Sequence, residues 1–279
     1  MPNERENIKI FHDTEKWIKN NKKLSSAIES SKKNTKVYFE DDYPSFDSDL
    51  EYPMTVSVTK DRSFRAAMRL HKENPTVKIA VMNFANAFQP GGGVQIGANA
   101  QEECLCRTST LYPLLNRKSL LGTFYKHHKN LRYHKENATD SLIYTPDVVI
   151  CKTDEDLPVR MPDTDWVKVD VLTVAAPNLN TFFLYDFGKK SHMSDIELFN
   201  IHVKRASHML TCAAAHKDEI LVLGAFGCGA FRNNPEVVAR AYKVALQNFP
   251  NVFKKIEFAV YCTPREEKNY KAFKKEFVE

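Results

Sequence analysis

Glu102 and Glu103 stand side by side in the stretch NFANAFQPGGGVQIGANAQEE, a short spacer after Gly91, Gly92 and Gly93. A carboxyl group can deliver a proton to a departing oxygen and take one back from water. Glycine lets backbone N–H groups approach a ligand closely, and a helix N-terminus favours negative charge beside it. The same pair has a purely structural reading, because carboxylates in the first turn of a helix complement its dipole. Neighbours on a helix point about 100° apart, so Glu102 and Glu103 are expected to take different roles.

A second glycine loop, GAFGCGAFRNNP, runs from the apolar EILVL into a helix with Asn234 as its cap and Pro235 in its first turn. A strand, a glycine loop and a helix N-terminus together suit a phosphate or diphosphate. The loop is not of the Walker type, since no Gly-Lys-Ser/Thr follows, and Gly224, Gly227 and Gly229 fit GxGxxG poorly. Its structural alternative is a tight turn holding two core aromatics.

The elements around these loops alternate short apolar runs with amphipathic helical patterns, which predicts a layered α/β domain. Strands are expected over Lys36–Glu40, Thr55–Thr59, Thr76–Asn83, Val148–Lys152, Val169–Ala175, Glu219–Gly224 and Ile256–Cys262. The clearest, VKIAVMNF, VKVDVLTVAA, EILVLGAF and IEFAVYC, are β-branched and largely apolar, which suits strands buried on both faces. Both glycine loops then sit at the C-terminal ends of strands, which points to one ligand cleft at the edge of an open sheet. Cys104, Thr108, Leu111 and Leu115 are spaced for one face of a helix starting near Gln101. Ile196, Phe199, Val203, Ala206, Leu210 and Ala213 are spaced for one face of another. Residues 1–35 read as a helical extension, with SSKKN as a linker, ahead of a main domain over 36–279. Residues 130–168 read as loop insertions around one strand.

Composition narrows the class. The chain has 279 residues, 43% of them hydrophobic, enough for one large domain with a full core. No run of about 18 apolar residues is present, so no membrane helix is expected. The N-terminus MPNERENIKIFHDTEKW lacks an apolar signal core, and six scattered cysteines show no zinc-finger spacing. A cytoplasmic protein with reduced thiols is the expectation. A net charge of +5 suits an anionic ligand and falls short of a nucleic-acid-binding signature. The nine histidines include no HExxH, and His127-His128 reads as the solvated face of a polar helix.

PGGGVQIGANAQEE, with FANA upstream and CRTSTLYP downstream, resembles the signature of bacterial-type poly(ADP-ribose) glycohydrolases. GAFGCGAFRNNP is similar to that family's diphosphate-binding loop. Val94 departs from the aromatic residue that more often follows the glycines in such relatives. The resemblance implies a macrodomain-like fold, a three-layer α/β/α mixed sheet, with ADP-ribose in a cleft at the strand ends. It implies hydrolysis of ribose–ribose O-glycosidic bonds of poly(ADP-ribose), mainly from chain ends. Such a cleavage passes through an oxocarbenium-like state and needs a proton on the leaving oxygen.

By the resemblance Glu103 is the acid and then the base, and Glu102 holds the ribose hydroxyls. The neighbouring charge is expected to raise the proton affinity of Glu103. Asn86 and Gln101 are implied in substrate binding. Gly92 and Gly93, with Gly227, Cys228, Gly229 and Ala230, are implied around the diphosphate, and Phe231 against the terminal ribose. Asn86 as a turn former and Phe231 as a core plug are the alternatives. Tyr112 and Tyr185 are further candidates for contact with adenine or ribose. No metal, cofactor, membrane or sequence-specific nucleic acid is implied, and a monomer is expected. Two other readings stay open: a mono-ADP-ribosyl hydrolase with the same site, and a non-catalytic ADP-ribose reader, against which the intact QEE argues.

Overall fold

Successive side chains of the strands enter two different apolar cores, and this alternation of period two sets the layers. Ile79, Val81, Val169, Val171, Ile220 and Val222 lie in one core, while Ala80, Met82, Leu172, Val174, Leu221 and Leu223 lie in the other. The computed structural model describes residues 3–47, 52–131, 138–180 and 193–278. Tyr185 lies outside them.

Among the described residues the strands are β1 (Lys36–Tyr38), β2 (Thr55–Thr59), β3 (Ile79–Phe84), β4 (Leu142–Ile150), β5 (Val167–Val174), β6 (Ile220–Leu223) and β7 (Lys255–Ala259). They form one sheet in the order β1-β4-β5-β3-β6-β7-β2, parallel from β5 to β2 and antiparallel at β4 and β1. One face carries α1 (Glu4–Asn20), α2 (Lys22–Asn34), α3 (Ser63–Glu73), α4 (Gln101–Thr108), α5 (Leu111–Leu115), α6 (Lys118–Gly122) and α7 (Phe124–Leu131). The other carries α8 (Asp195–Ala215), α9 (Pro235–Leu246) and α10 (Lys268–Phe277). The expected three-layer α/β/α arrangement is present, and all seven expected strands are found within a few residues.

Several local expectations give way to the structure. Residues 30–34 are the last turn of α2, not a linker; Ser31 is buried, and its hydroxyl donates to the Pro146 carbonyl. Phe11, Ile18, Leu24 and Ile28 of α1 and α2 join the main core. β4 is longer than expected because Pro146 and Asp147 sit in a bulge that removes the proline from the ladder. The helix at Gln101 stops at Thr108, because Ser109 bridges Ile150, Thr110 N–H donates to the Val149 carbonyl, and α5 begins anew.

Ala206, Leu210 and Ala213 of the expected α8 face are buried, but in the N-terminal half of the helix Leu198, His202 and Arg205 face inward and Ile196 is exposed. Arg205 survives burial by pairing with Asp140 and donating to the Ala175 and Ala138 carbonyls. The solvated reading of the histidine pair fails at His128, while His127 stays partly exposed beside Glu40. His128 is fully buried against Phe124, with its ring bonded to the Phe124 carbonyl and to Thr139.

Candidate active site

Three neighbouring parallel strands, β5, β3 and β6, end at one edge of the sheet, and both glycine loops leave from it. The loop after β3 carries Gly91–Gly93 into α4, and the loop after β6 runs through residues 224–234 into α9. This is where an open α/β sheet holds its ligands.

Gln101 begins α4 and ties it to the end of β3. Its side-chain carbonyl accepts from Phe84 N–H at 2.9 Å, and its amide donates to the Met82 carbonyl at 2.7 Å and to Ser63 Oγ at 3.0 Å. The amide of Gln101 thus holds protein, and the residue is a positioning one. Glu102 and Glu103 follow, both nearly fully buried.

The two carboxylates part as helix geometry requires. Glu102 Oε1 accepts from Gly91 N–H at 3.2 Å and Asn83 Nδ2 at 3.3 Å, and its Oε2 accepts from Asn86 N–H at 2.8 Å. Glu103 Oε1 accepts from Gly93 N–H at 2.8 Å, while its buried Oε2 meets no partner among the described residues. One carboxylate anchors the loop; the other keeps an oxygen in reserve.

Burial pushes the Glu102 carboxyl up to about 8, and the charge of Glu103 beside it adds to the rise. Hydrogen bonds from Asn86, Asn83 and Gly91 pull the other way and favour the anion, but burial is the larger effect. Burial thus favours the protonated form of Glu102 at neutral pH.

The glycines are explained by these carboxylates. Gly92 has φ +55°, and a Cβ there would lie 2.5 Å from Glu103 Oε1 and 3.1 Å from Glu102 Oε2. Gly92 N–H donates to the Gln89 carbonyl, and Gly93 N–H to Glu103, so both amides are taken up within the protein. Asn86 Oδ1 accepts from Phe88 and Gln89 N–H groups and forms the turn entering the loop.

The second loop is built differently. Gly227, at φ +74°, packs so tightly that a Cβ would lie 2.6 Å from Ala176 Cβ. Its neighbour Cys228 is partly buried, and burial pushes its thiol well up, so it is a packing residue. The carbonyl of Gly229 accepts from Arg232 N–H, that of Ala230 from Asn180 Nδ2, and that of Phe231 from Leu179 N–H and Asn233 Nδ2. A trans peptide points its N–H opposite its carbonyl, so the amides of Ala230 and Phe231 face away from this bracing. They meet no acceptor among the described residues. A Cβ on Gly229 would also meet nothing within 4 Å.

Tyr112 is not placed as a ligand contact. It is almost fully buried, its ring packs beneath Gly91, and its hydroxyl takes donors from Gln95 and Asn116. Val94 is buried beside it. Sequence reasoning missed Asn83, which links Glu102 to Thr173 Oγ1 at the base of the site. A polar residue inside the buried run VMNF was the available signal. It also missed Asn233, which ties the loop to the Pro177 carbonyl and to His202. Among the described residues no group of three His, Cys, Asp or Glu side chains could hold a metal ion, and no helix is long and apolar enough to cross a membrane.

Known proteins bear on this geometry. The family model of the microbial-type PARG catalytic domain matches residues 5–153, which include α2 and all of α1 but its first residue. No curated protein matches the chain. Among solved structures, the poly(ADP-ribose) glycohydrolase of Thermomonospora curvata is 27% identical, over 98% of this chain and 100% of that one, with a TM-score of 0.84. The same enzyme bound to the inhibitor ADP-HPD gives a TM-score of 0.80. The Deinococcus radiodurans poly(ADP-ribose) glycohydrolase in complex with ADP-ribose is 30% identical, over 89% of this chain and 96% of that one, with a TM-score of 0.74. The family model and the shared macrodomain-like fold agree, and the chain belongs to the microbial-type poly(ADP-ribose) glycohydrolase family.

Proposed function

We propose that this protein releases ADP-ribose from poly(ADP-ribose) with Glu103 as the acid–base residue. The observation that carries the reading is the unpartnered buried Oε2 of Glu103, beside an Oε1 held by Gly93 N–H. Oε2 donates its proton to the leaving ribose oxygen as the glycosidic bond breaks. The resulting carboxylate then takes a proton from the water that attacks the oxocarbenium-like carbon. Three N–H groups occupy acceptor positions of the Glu102 carboxyl. The remaining position carries its proton, which can be donated to a ribose hydroxyl oxygen. Asn86 closes the same edge of the site.

The diphosphate is assigned to the second loop alone, where the outward amides of Ala230 and Phe231, with the open space over Gly229, suit an anion. Gly227 sets the turn, and Gly92 and Gly93 serve the carboxylates. Phe231, half-buried and fixed by its carbonyl, walls the terminal ribose. This wall favours cutting from chain ends by a monomeric enzyme. The boundary near residue 35 is read as internal to the catalytic unit, because α1 and α2 share its core.

Incubation with defined poly(ADP-ribose) chains and with mono-ADP-ribosylated protein, read by mass, tests the assignment. Single ADP-ribose units are expected from the earliest times, with the protein-linked unit persisting. Early release of long oligomers contradicts the closed wall, and clean removal of the last unit favours a mono-ADP-ribosyl hydrolase.

A further inference from the structure

The segment from Gly91 to Arg107 holds both carboxylates, and α1 grips it at Gly97 and at Arg107. At the loop end, Asn7 Nδ2 donates to the Gly97 carbonyl at 2.9 Å. Gly97 has φ +82°, and a Cβ on it would lie 2.2 Å from the Glu4 carbonyl oxygen. Only glycine lets the loop lie this close to the helix. At the helix end, Thr14 Oγ1 donates to the Arg107 carbonyl at 2.6 Å. Between them, the Phe11 ring meets Tyr112 edge-on at 4.8 Å, and Tyr112 in turn underlies Gly91.

Arg107 completes the grip from within. Its guanidinium is nearly fully buried and donates to the Ala98 carbonyl at 2.6 Å and to Asn99 Oδ1. One residue of α4 thus holds the loop by its side chain while α1 holds its backbone. The Gly93 N–H fixes Glu103 Oε1, and the Gly93 carbonyl accepts from the N–H of Ala98, whose own carbonyl Arg107 holds.

We infer that α1 is a positioning clamp for Glu103, with Asn7 and Thr14 as its positioning residues. This rests on the assignment of Glu103 above. Catalytic groups that shift by about 1 Å can lose about a hundredfold in rate, and a clamp acts on rate through such a shift. Neither Asn7 nor Thr14 reaches the second loop, so binding of the ADP-ribose diphosphate should be spared.

The test compares Thr14→Val, Asn7→Leu and their double variant with Thr14→Ser, which keeps the hydroxyl. Each is measured for kcat and KM on poly(ADP-ribose), for ADP-ribose affinity by calorimetry and for melting temperature. Thr14→Val is nearly isosteric and guards against loss of fold. The expected result is a fall in kcat of about tenfold or more in the double variant, with ADP-ribose affinity within about twofold of the parent. Thr14→Ser should restore kcat to near the parent value. Unchanged kcat in a folded double variant overturns the clamp, as does a parallel loss of kcat and affinity that follows the melting temperature. Glu103→Gln is run beside them. If it stays active, the site assignment and the clamp both fail; if it is dead while the double variant is unaffected, the clamp alone fails.

Discussion

Gly92 and Glu103 approach so closely that a methyl group on Gly92 would lie 2.5 Å from Glu103 Oε1. The left-handed backbone at φ +55° and this approach each exclude a side chain. Gly92→Ala should therefore cost about 1–2 kcal/mol of stability and displace both carboxylates. A loss of about a hundredfold in kcat is expected in the folded variant. Melting curves and steady-state rates on poly(ADP-ribose) check this, and a near-normal kcat would mean the loop tolerates displacement.

That relationship also marks where sequence reading stopped. The central strands β3, β5, β6 and β7 were legible because two-sided burial leaves continuous apolar runs, and α4 and α9 because Gln101 and Asn234-Pro235 mark their starts. The glycine run was legible as backbone needed near chemistry, but its target was not. A glycine run looks alike whether its amides face a diphosphate or a carboxylate of the same chain, and here Gly93 faces Glu103. Arg205 and His128 were hidden for a related reason. Their burial depends on partners such as Asp140 and Thr139, which local periodicity does not carry.

The proton on Glu102 gives stability a pH dependence. Its folded-state affinity, raised to about 8 from an ordinary 4.5, means that the folded protein binds a proton that the unfolded chain releases. The contribution is fully present below about pH 4.5 and is lost as pH rises through about 8. Melting temperature across this window should fall more steeply for the parent than for Glu102→Gln, which carries no titrating group. Parallel curves would remove Glu102 as the source.

The two glycines of the second loop should separate fold from binding. Gly227→Ala meets Ala176 at 2.6 Å with φ +74°, so it should lower the melting temperature and weaken ADP-ribose binding together. Gly229 is not in the left-handed region and faces open space, so Gly229→Val should leave the melting temperature within a few degrees. Its side chain enters the space assigned to the diphosphate, and calorimetry should show ADP-ribose affinity reduced about tenfold or more, about 1.4 kcal/mol. Unchanged affinity would make the loop a turn only.

Excess EDTA should leave the release of ADP-ribose unaffected, because the protons in this account are moved by a carboxyl group. Loss of activity on chelation, restored by a divalent ion, would require a metal-assisted step instead.

The central claim is that Glu103 moves the proton, and Glu103→Gln tests it most directly. The amide keeps the shape of the side chain and a carbonyl oxygen able to accept from Gly93 N–H, but it cannot donate and regain a proton. Single-turnover release of ADP-ribose should fall by about a hundredfold or more, while calorimetry gives an ADP-ribose affinity close to that of the parent. A folded Glu103→Gln protein that retains more than about a tenth of the parental rate would contradict the account.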